Sequence, residues 1–340
     1  MRDTEGREID YIRISLTDRC NLRCQYCMPE EGVAMMDHKD IMRHEEIIRF
    51  VAAAAKLGIR KVRLTGGEPL LRKNMTFLIG AIKATPGIEE VALTTNGVRL
   101  NEMLDDLIDA GLDRLNVSLD SLRGEVFKEI TRFDHFDGVW QGIVRAMEAG
   151  IKVKLNVVVL KGVNDGEILD FVKLTQAYPM DVRFIELMPI GCGAQFEGMS
   201  NNQVLDHISQ AGYRLQEVER VTGNGPAVHY RLEGAKGNIG FISPISHAFC
   251  KSCNRVRLTA EGFLKSCLHA NTGLSIRDLM RSGVDDQGLE EALARAIQMK
   301  PVEHRFDQVT GADKDRPSDK DAEKDIENCR DTRIMSQIGG

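Results

Sequence analysis

At 340 residues, 42% apolar and 28% charged, the chain has the composition of an ordinary soluble protein of one large domain or two smaller ones. That composition excludes disorder throughout, a collagen-like repeat and a small disulfide-stapled scaffold. A formal charge of −6 argues against non-specific binding to nucleic acid or to an anionic membrane. Apolar stretches such as Phe50 to Ala55 fall far short of the ~18–20 residues that span a bilayer. The opening Met1-Arg2-Asp3-Thr4-Glu5-Gly6 has no apolar core of the kind a secretory signal carries, so a cytoplasmic protein is expected.

In chain order, runs of strand length alternate with helical periodicity. Strands are predicted at Tyr11–Leu16, Lys61–Leu64, Glu90–Thr94, Arg114–Leu119, Lys152–Leu160 and Asp181–Glu186. Between them, apolar residues near 3.6 spacing predict helices at Glu45–Leu57, Met75–Ala84, Met103–Ala110, Val139–Ala149 and Glu167–Gln176. Gly58, Gly111 and Gly150 each follow a helix, where a left-handed residue favours glycine. Such alternation means repeated right-handed βαβ units and a parallel sheet, and six strands suit an open or partial barrel. Ligands then belong at the C-terminal ends of the strands.

Past about residue 200 the pattern changes. A helix at Gln203–Ala211 leads into short strand-like segments near Tyr213–Val221, Val228–Leu232 and Ile239–Ile242. Helices near Ser275–Arg281 and Leu289–Ala296 follow. We read 1–200 as an α/β partial barrel, 201–310 as a smaller α+β extension and 311–340 as a flexible charged tail. From Gly311 to Arg333 that tail is mostly Asp, Lys, Glu and Arg, which cannot bury enough surface to fold alone.

The eight cysteines are clustered. Cys20, Cys24 and Cys27 lie within one short loop after the first predicted strand, and Cys250, Cys253 and Cys267 form a second trio. Cys192 and Cys329 stand alone and read as reduced thiols. Clustered thiols in a cytosolic chain point to metal or redox chemistry. Four cysteines close an iron–sulfur cube, whereas three leave one iron open to a small molecule. A zinc site short of one ligand and three buried thiols are the bland alternatives for the first trio. For the second, His247 or His269 could complete a Cys3His zinc site, so spacing alone leaves zinc and iron–sulfur open.

Cys20-x3-Cys24-x2-Cys27, with Tyr26 before the third cysteine, resembles the cluster loop of radical S-adenosylmethionine (SAM) enzymes. The longer strings Arg13-Ile14-Ser15-Leu16-Thr17-Asp18-Arg19-Cys20-Asn21-Leu22-Arg23-Cys24 and Cys27-Met28-Pro29 resemble one branch, the GTP 3′,8-cyclase family of molybdenum cofactor biosynthesis. Cys253-Asn254-Arg255-Val256-Arg257-Leu258-Thr259-Ala260 resembles that family's second cluster loop, and the likeness extends from Gly6-Arg7 to the terminal glycines. It implies two [4Fe–4S] clusters on a partial (βα)6 barrel. The first cleaves SAM to a 5′-deoxyadenosyl radical, and the second holds guanine at its open iron. In that family the radical takes hydrogen from C3′ of GTP. The carbon radical attacks C8, and reduction gives 3′,8-cyclo-7,8-dihydro-GTP.

Site residues follow from the same resemblance. Thr65-Gly66-Gly67-Glu68-Pro69 cradles the methionine end of SAM through Gly67, although by composition the two glycines could simply make a tight turn. Tyr26, Ser118 and Met188 match the other SAM positions. Arg13, Arg63, Thr94, Lys154, Arg255, Val256 and Arg257 match GTP-binding positions, with Lys61 and Arg183 as further candidates. Independently of any family, Arg255 and Arg257 alternate on a predicted strand, share one face, and present planar forks suited to phosphate. No Walker A sequence occurs, so a P-loop is not the nucleotide site. Gly339 and Gly340 match a C-terminal double glycine needed for catalysis, acting with Arg13 in the later steps. Expected partners are GTP, a reductant protein such as a flavodoxin or ferredoxin, cyclic pyranopterin monophosphate synthase as product acceptor, and a second copy in a homodimer. Two other classes stay open: a peptide-modifying radical SAM enzyme with an auxiliary cluster, and a zinc- or cluster-bearing binding or sensor module.

Overall fold

The computed structural model describes residues 1–219, 225–270 and 272–303. The first half supplies β1 (Tyr11–Ser15), β2 (Lys61–Thr65), β3 (Glu90–Thr95), β4 (Arg114–Ser118), β5 (Lys152–Val158) and β6 (Asp181–Ile185). Each pairs parallel to the next in chain order. The helices α1 (His44–Lys56), α2 (Met75–Lys83), α3 (Leu100–Asp109), α4 (Gly124–Thr131), α5 (Phe136–Glu148) and α6 (Ile168–Ala177) fill the crossovers. Gly58, Gly111 and Gly150, just past α1, α3 and α5, have φ of 95°, 91° and 82°, the left-handed turn that the sequence asked glycine to make.

Alternation along the strands sorts the barrel into two faces. Ile12 and Ile14 of β1, Val62 and Leu64 of β2, Leu115 and Val117 of β4, and Val182 and Phe184 of β6 are buried against the helices. Those helices contribute Ile47, Phe50 and Val51 from α1, Leu104 and Leu107 from α3, and Val139 and Ile143 from α5. The intervening strand residues, among them Arg13, Arg63, Arg114 and Arg183, face the other way, towards the interior. The hydrophobic core is therefore the outer layer between sheet and helices, and the interior is polar.

After α7 (Asn201–Gln210) come β7 (Leu215–Val218), β8 (Val228–Leu232), β9 (Ile239–Ile242), β10 (Arg255–Leu258), β11 (Phe263–Lys265) and β12 (Gly273–Ser275), then α8 (Ile276–Arg281) and α9 (Asp286–Gln298). These strands continue the barrel sheet instead of forming one of their own. Among the described residues one 12-stranded sheet runs β12-β11-β10-β1-β2-β3-β4-β5-β6-β9-β8-β7. β10 pairs parallel to β1, and β9 parallel to β6. A six-stranded partial barrel leaves the backbone groups of its two edge strands unpaired, and the extension satisfies both. This brings the second cysteine trio beside the first strand. No helix among the described residues is long and apolar enough to cross a membrane. The charged tail, with Cys329, Gly339 and Gly340, lies outside the described residues.

Candidate active site

The loop carrying the first trio leaves β1 and is held on two sides. Arg23 and Gln25 donate their backbone N–H groups to Thr131 and Ile130 at the end of α4, at 3.0 and 2.9 Å. On the other side, the N–H groups of Gly67 and Glu68 donate to the carbonyls of Thr17 and Arg19, both at 2.7 Å. This explains the paired glycines. A Cβ on Gly67 would sit 2.2 Å from the Arg19 carbonyl oxygen, and one on Gly66 2.6 Å from that of Thr17. The glycines let the turn lie directly against the cysteine loop, and both line the cavity described below. The Glu68 carboxylate is not presented to a ligand: it accepts from Leu70 N, Thr95 Oγ1 and Asn96 N at 2.9, 2.8 and 2.7 Å. Burial still lifts its pKa to about 7.

Cys20 Sγ accepts from Leu22 N at 3.4 Å and from Asn96 Nδ2 at 3.6 Å. Burial raises the pKa of Cys20, and that of Cys24 well above the usual thiol range. The protein alone thus disfavours thiolates here, and a polycationic iron core is the group that stabilises them. The Tyr26 hydroxyl donates to Asp120 Oδ2 at 2.7 Å, and Asp120 Oδ1 accepts from Val158 N at 2.8 Å. Burial lifts Asp120 to about 6 against those two bonds. An acid raised in the folded state binds extra protons between its unfolded pKa and about 6, so its contribution to stability falls as pH rises through that window. Tyr26→Phe is expected to cost about 1–3 kcal/mol and to extend the fall to higher pH. Thermal unfolding of the two proteins from pH 5 to 8 measures both.

The second trio sits in a cationic setting. Burial works to raise Cys253, but Arg255, Lys300 and Arg257 outweigh it and bring the thiol down to about 6. Arg255 lies over the Phe249 ring at 4.9 Å. The zinc alternative does not find its fourth ligand in His247, which is exposed and paired with Asn202 Oδ1 at 3.3 Å. Among the described residues no three His, Cys, Asp or Glu gather as for a single metal ion. A cube takes its thiolates at separate irons, so its ligands need not converge on one point.

Both trios open on one cavity of about 330 Å³ inside the barrel. Tyr26, Gly67, Ser118 and Met188 line it, as do Arg13, Arg63, Thr94, Arg255 and Arg257. Lys61 and Arg183 line it too. In the strand register Arg257 lies beside Arg13, and Arg13 beside Arg63, so three guanidinium groups cross β10, β1 and β2 in one layer. Burial, then the charge of Arg257, pulls the Arg13 pKa far down. Burial lowers Arg183 to about 9 and Arg257 to about 10, leaving both charged at pH 7. Several buried polar atoms on this wall lack a protein partner: Nε of Arg63 and of Arg183, Thr94 Oγ1 and Asn156 Oδ1. Crowded buried cations with unfilled hydrogen bonds fit a polyanionic ligand.

Two expected GTP residues are placed differently. Lys154 does not line the cavity: it is buried beside β6 and pairs with Asp181 at 2.6 Å. Val256, between the two arginines, turns its side chain into the hydrophobic core, because alternation puts it on the opposite face. Sequence reasoning missed Arg114, Asn156 and Lys300 on the wall. Arg114 and Asn156 share the faces of Ser118 and Lys154 by period two, a signal that was there to be used. Lys300 follows a helix and had none.

Comparison with known families matches residues 14–175 to the Radical SAM superfamily and 180–306 to Molybdenum Cofactor Synthesis C. The structure of Streptococcus suis SuiB bound to S-adenosylmethionine is similar in fold, with a TM-score of 0.59 over 84% of this chain and 67% of that one at 16% identity. The barrel with its first cysteine loop is thus a radical SAM fold. Proteins named GTP 3′,8-cyclase resemble the chain end to end. That of Clostridium perfringens (strain SM101 / Type A) is 46% identical over 340 residues, 100% of both chains. That of Heliobacterium modesticaldum is 47% identical over 345 residues, again 100% of both. The chain belongs to the GTP 3′,8-cyclase family.

Proposed function

We propose that this chain is a radical SAM lyase that converts GTP to (8S)-3′,8-cyclo-7,8-dihydroguanosine 5′-triphosphate, the first step of molybdenum cofactor biosynthesis. One observation carries the reading: both cysteine trios line a single cavity together with the guanidinium groups of Arg13, Arg63, Arg255 and Arg257. Cys20, Cys24 and Cys27 hold one [4Fe–4S] cluster, and Cys250, Cys253 and Cys267 the other. When bound, the first supplies the electron that cleaves SAM. Gly67, Tyr26, Ser118 and Met188 hold SAM against the first loop, with Asp120 fixing the Tyr26 ring. Arg13, Arg63, Arg255 and Arg257, joined by Lys61 and Arg183, hold the triphosphate, and Thr94 and Asn156 offer neutral hydrogen-bonding partners. Lys154, on the interior face two residues before Asn156, acts from one strand layer below the cavity by keeping Asp181 from neutralising the arginines, and Val256 contributes its backbone only. A wall of guanidinium forks suits phosphate oxygens better than a peptide backbone.

The charged tail brings Gly339 and Gly340 to the later steps with Arg13. A reductant protein such as a flavodoxin or ferredoxin supplies electrons, cyclic pyranopterin monophosphate synthase takes the product, and the protein works as a homodimer. The test is anaerobic. Reconstitution with iron and sulfide is expected to give about eight irons per chain. Adding reductant, SAM and GTP then gives 5′-deoxyadenosine that depends on GTP. Eight irons without GTP dependence would remove GTP as substrate, and zinc or about four irons without SAM cleavage would remove the two-cluster reading.

A further inference from the structure

Lys300, just past α9, is only 5% exposed. Its ammonium donates to the carbonyl oxygens of Arg255 and Ser266 at 2.8 and 2.7 Å and hydrogen-bonds the Cys253 thiol. Arg255 lies two residues after Cys253, and Ser266 immediately precedes Cys267. One side chain therefore ties together the two limbs of the second trio, which are far apart in sequence. Its partners among the described residues are carbonyls and sulfur, with no carboxylate, so a buried cation is compensated only by the cysteines. Its backbone is pinned as well. The Arg7 guanidinium donates to the carbonyls of Lys300, Pro301 and Val302 and, at 3.0 Å, to that of Cys250. Arg7 is itself fixed by Asp3 at 2.6 Å.

We propose that Lys300 is a positioning residue of the second cluster: it sets the spacing of the 253–255 and 266–267 limbs and holds a positive charge against the sulfurs, making that cluster easier to reduce. The proposal rests on the second trio binding a [4Fe–4S] cluster. Net charge and hydrogen bonds to sulfur are what tune such potentials. A nearby cation favours the more negative, reduced state.

The experiment is an anaerobic redox titration of the full-length reconstituted protein with dithionite, followed by electron paramagnetic resonance, for wild type, Lys300→Gln and Lys300→Met. The first cluster, recognised by the change in its signal on adding SAM, is the internal control. Lys300→Gln keeps donors for both carbonyls without the charge. It is expected to retain about eight irons and to shift only the second cluster's reduction equilibrium about tenfold towards oxidised, about 59 mV lower for one electron. Loss of iron from the second trio alone in Lys300→Met also supports the proposal. A fully loaded Lys300→Gln with an unmoved potential overturns it. So does loss of both clusters together or unfolding of both variants, which would make Lys300 a packing residue. If wild type itself binds about four irons, the failure belongs to the two-cluster reading and not to Lys300.

Discussion

Gly67→Ala is expected to strip the first cysteine loop of iron while the second trio stays loaded. The added Cβ would lie 2.2 Å from the Arg19 carbonyl oxygen, 2.6 Å from its carbon and 2.8 Å from the Asp18 carbonyl oxygen. All three are backbone atoms, so no side chain can swing away. The loop cannot retreat as a body either, because its far side is bonded to Thr131 and Ile130. The displacement therefore falls on Cys20, the residue after Arg19. Overpacking of this kind costs about 1–3 kcal/mol, and a misplacement of about 1 Å at a reacting centre costs about a hundredfold in rate. Iron should fall from about eight to about four per chain, SAM cleavage should be lost, and the thermal shift on adding GTP should persist. Gly166→Ala, whose Cβ would meet nothing within 4 Å, is the control. A Gly67→Ala protein that holds both clusters and cleaves SAM normally would mean that the turn does not rest on the loop.

The strands of the barrel were legible because their outer faces alternate with a strongly polar interior. Arg13 between Ile12 and Ile14, or Arg63 between Val62 and Leu64, is a pattern that only a two-residue period explains. Some helices start earlier than predicted: α5 begins at Phe136, not Val139, its apolar stripe of Phe136, Val139 and Ile143 being interrupted by Asp137-Gly138, whereas α2 begins at Met75 as predicted. α4 was missed outright, being eight residues long with few buried positions, and β11 and β12 are too short for any period to show. Both cysteine trios were legible from spacing and their neighbours. What spacing could not reveal is charge compensation across strands. Lys154 pairs with Asp181 of the adjacent strand and does not reach the cavity wall, while Arg183, two residues further along β6 on the same face, lines it. The glycine pair was read as making room for a ligand. Its tightest neighbour is the protein's own cysteine loop.

Arg63→Met is expected to weaken GTP binding about 10- to 100-fold, the value of one hydrogen-bonded buried charge, while leaving the unliganded protein as stable as wild type or more so. The Arg63 Nε is buried and unpartnered, and the Tyr11 ring lies 5.3 Å from its guanidinium carbon. Burial, and the charges of Arg114 and Arg255, pull its pKa down against Tyr11 and Glu90. Without a polyanion the guanidinium is thus a cost to the fold, and methionine of similar length removes that cost while filling the space. With GTP bound, the same charge is matched by phosphate. The two effects have opposite signs, which separates a binding residue from a packing one. Thermal unfolding with and without GTP reads both: the unliganded midpoint should hold or rise, and the shift produced by GTP should shrink. A lowered unliganded midpoint with an undiminished GTP shift would assign Arg63 to the scaffold and move the phosphate site towards Arg255 and Arg257.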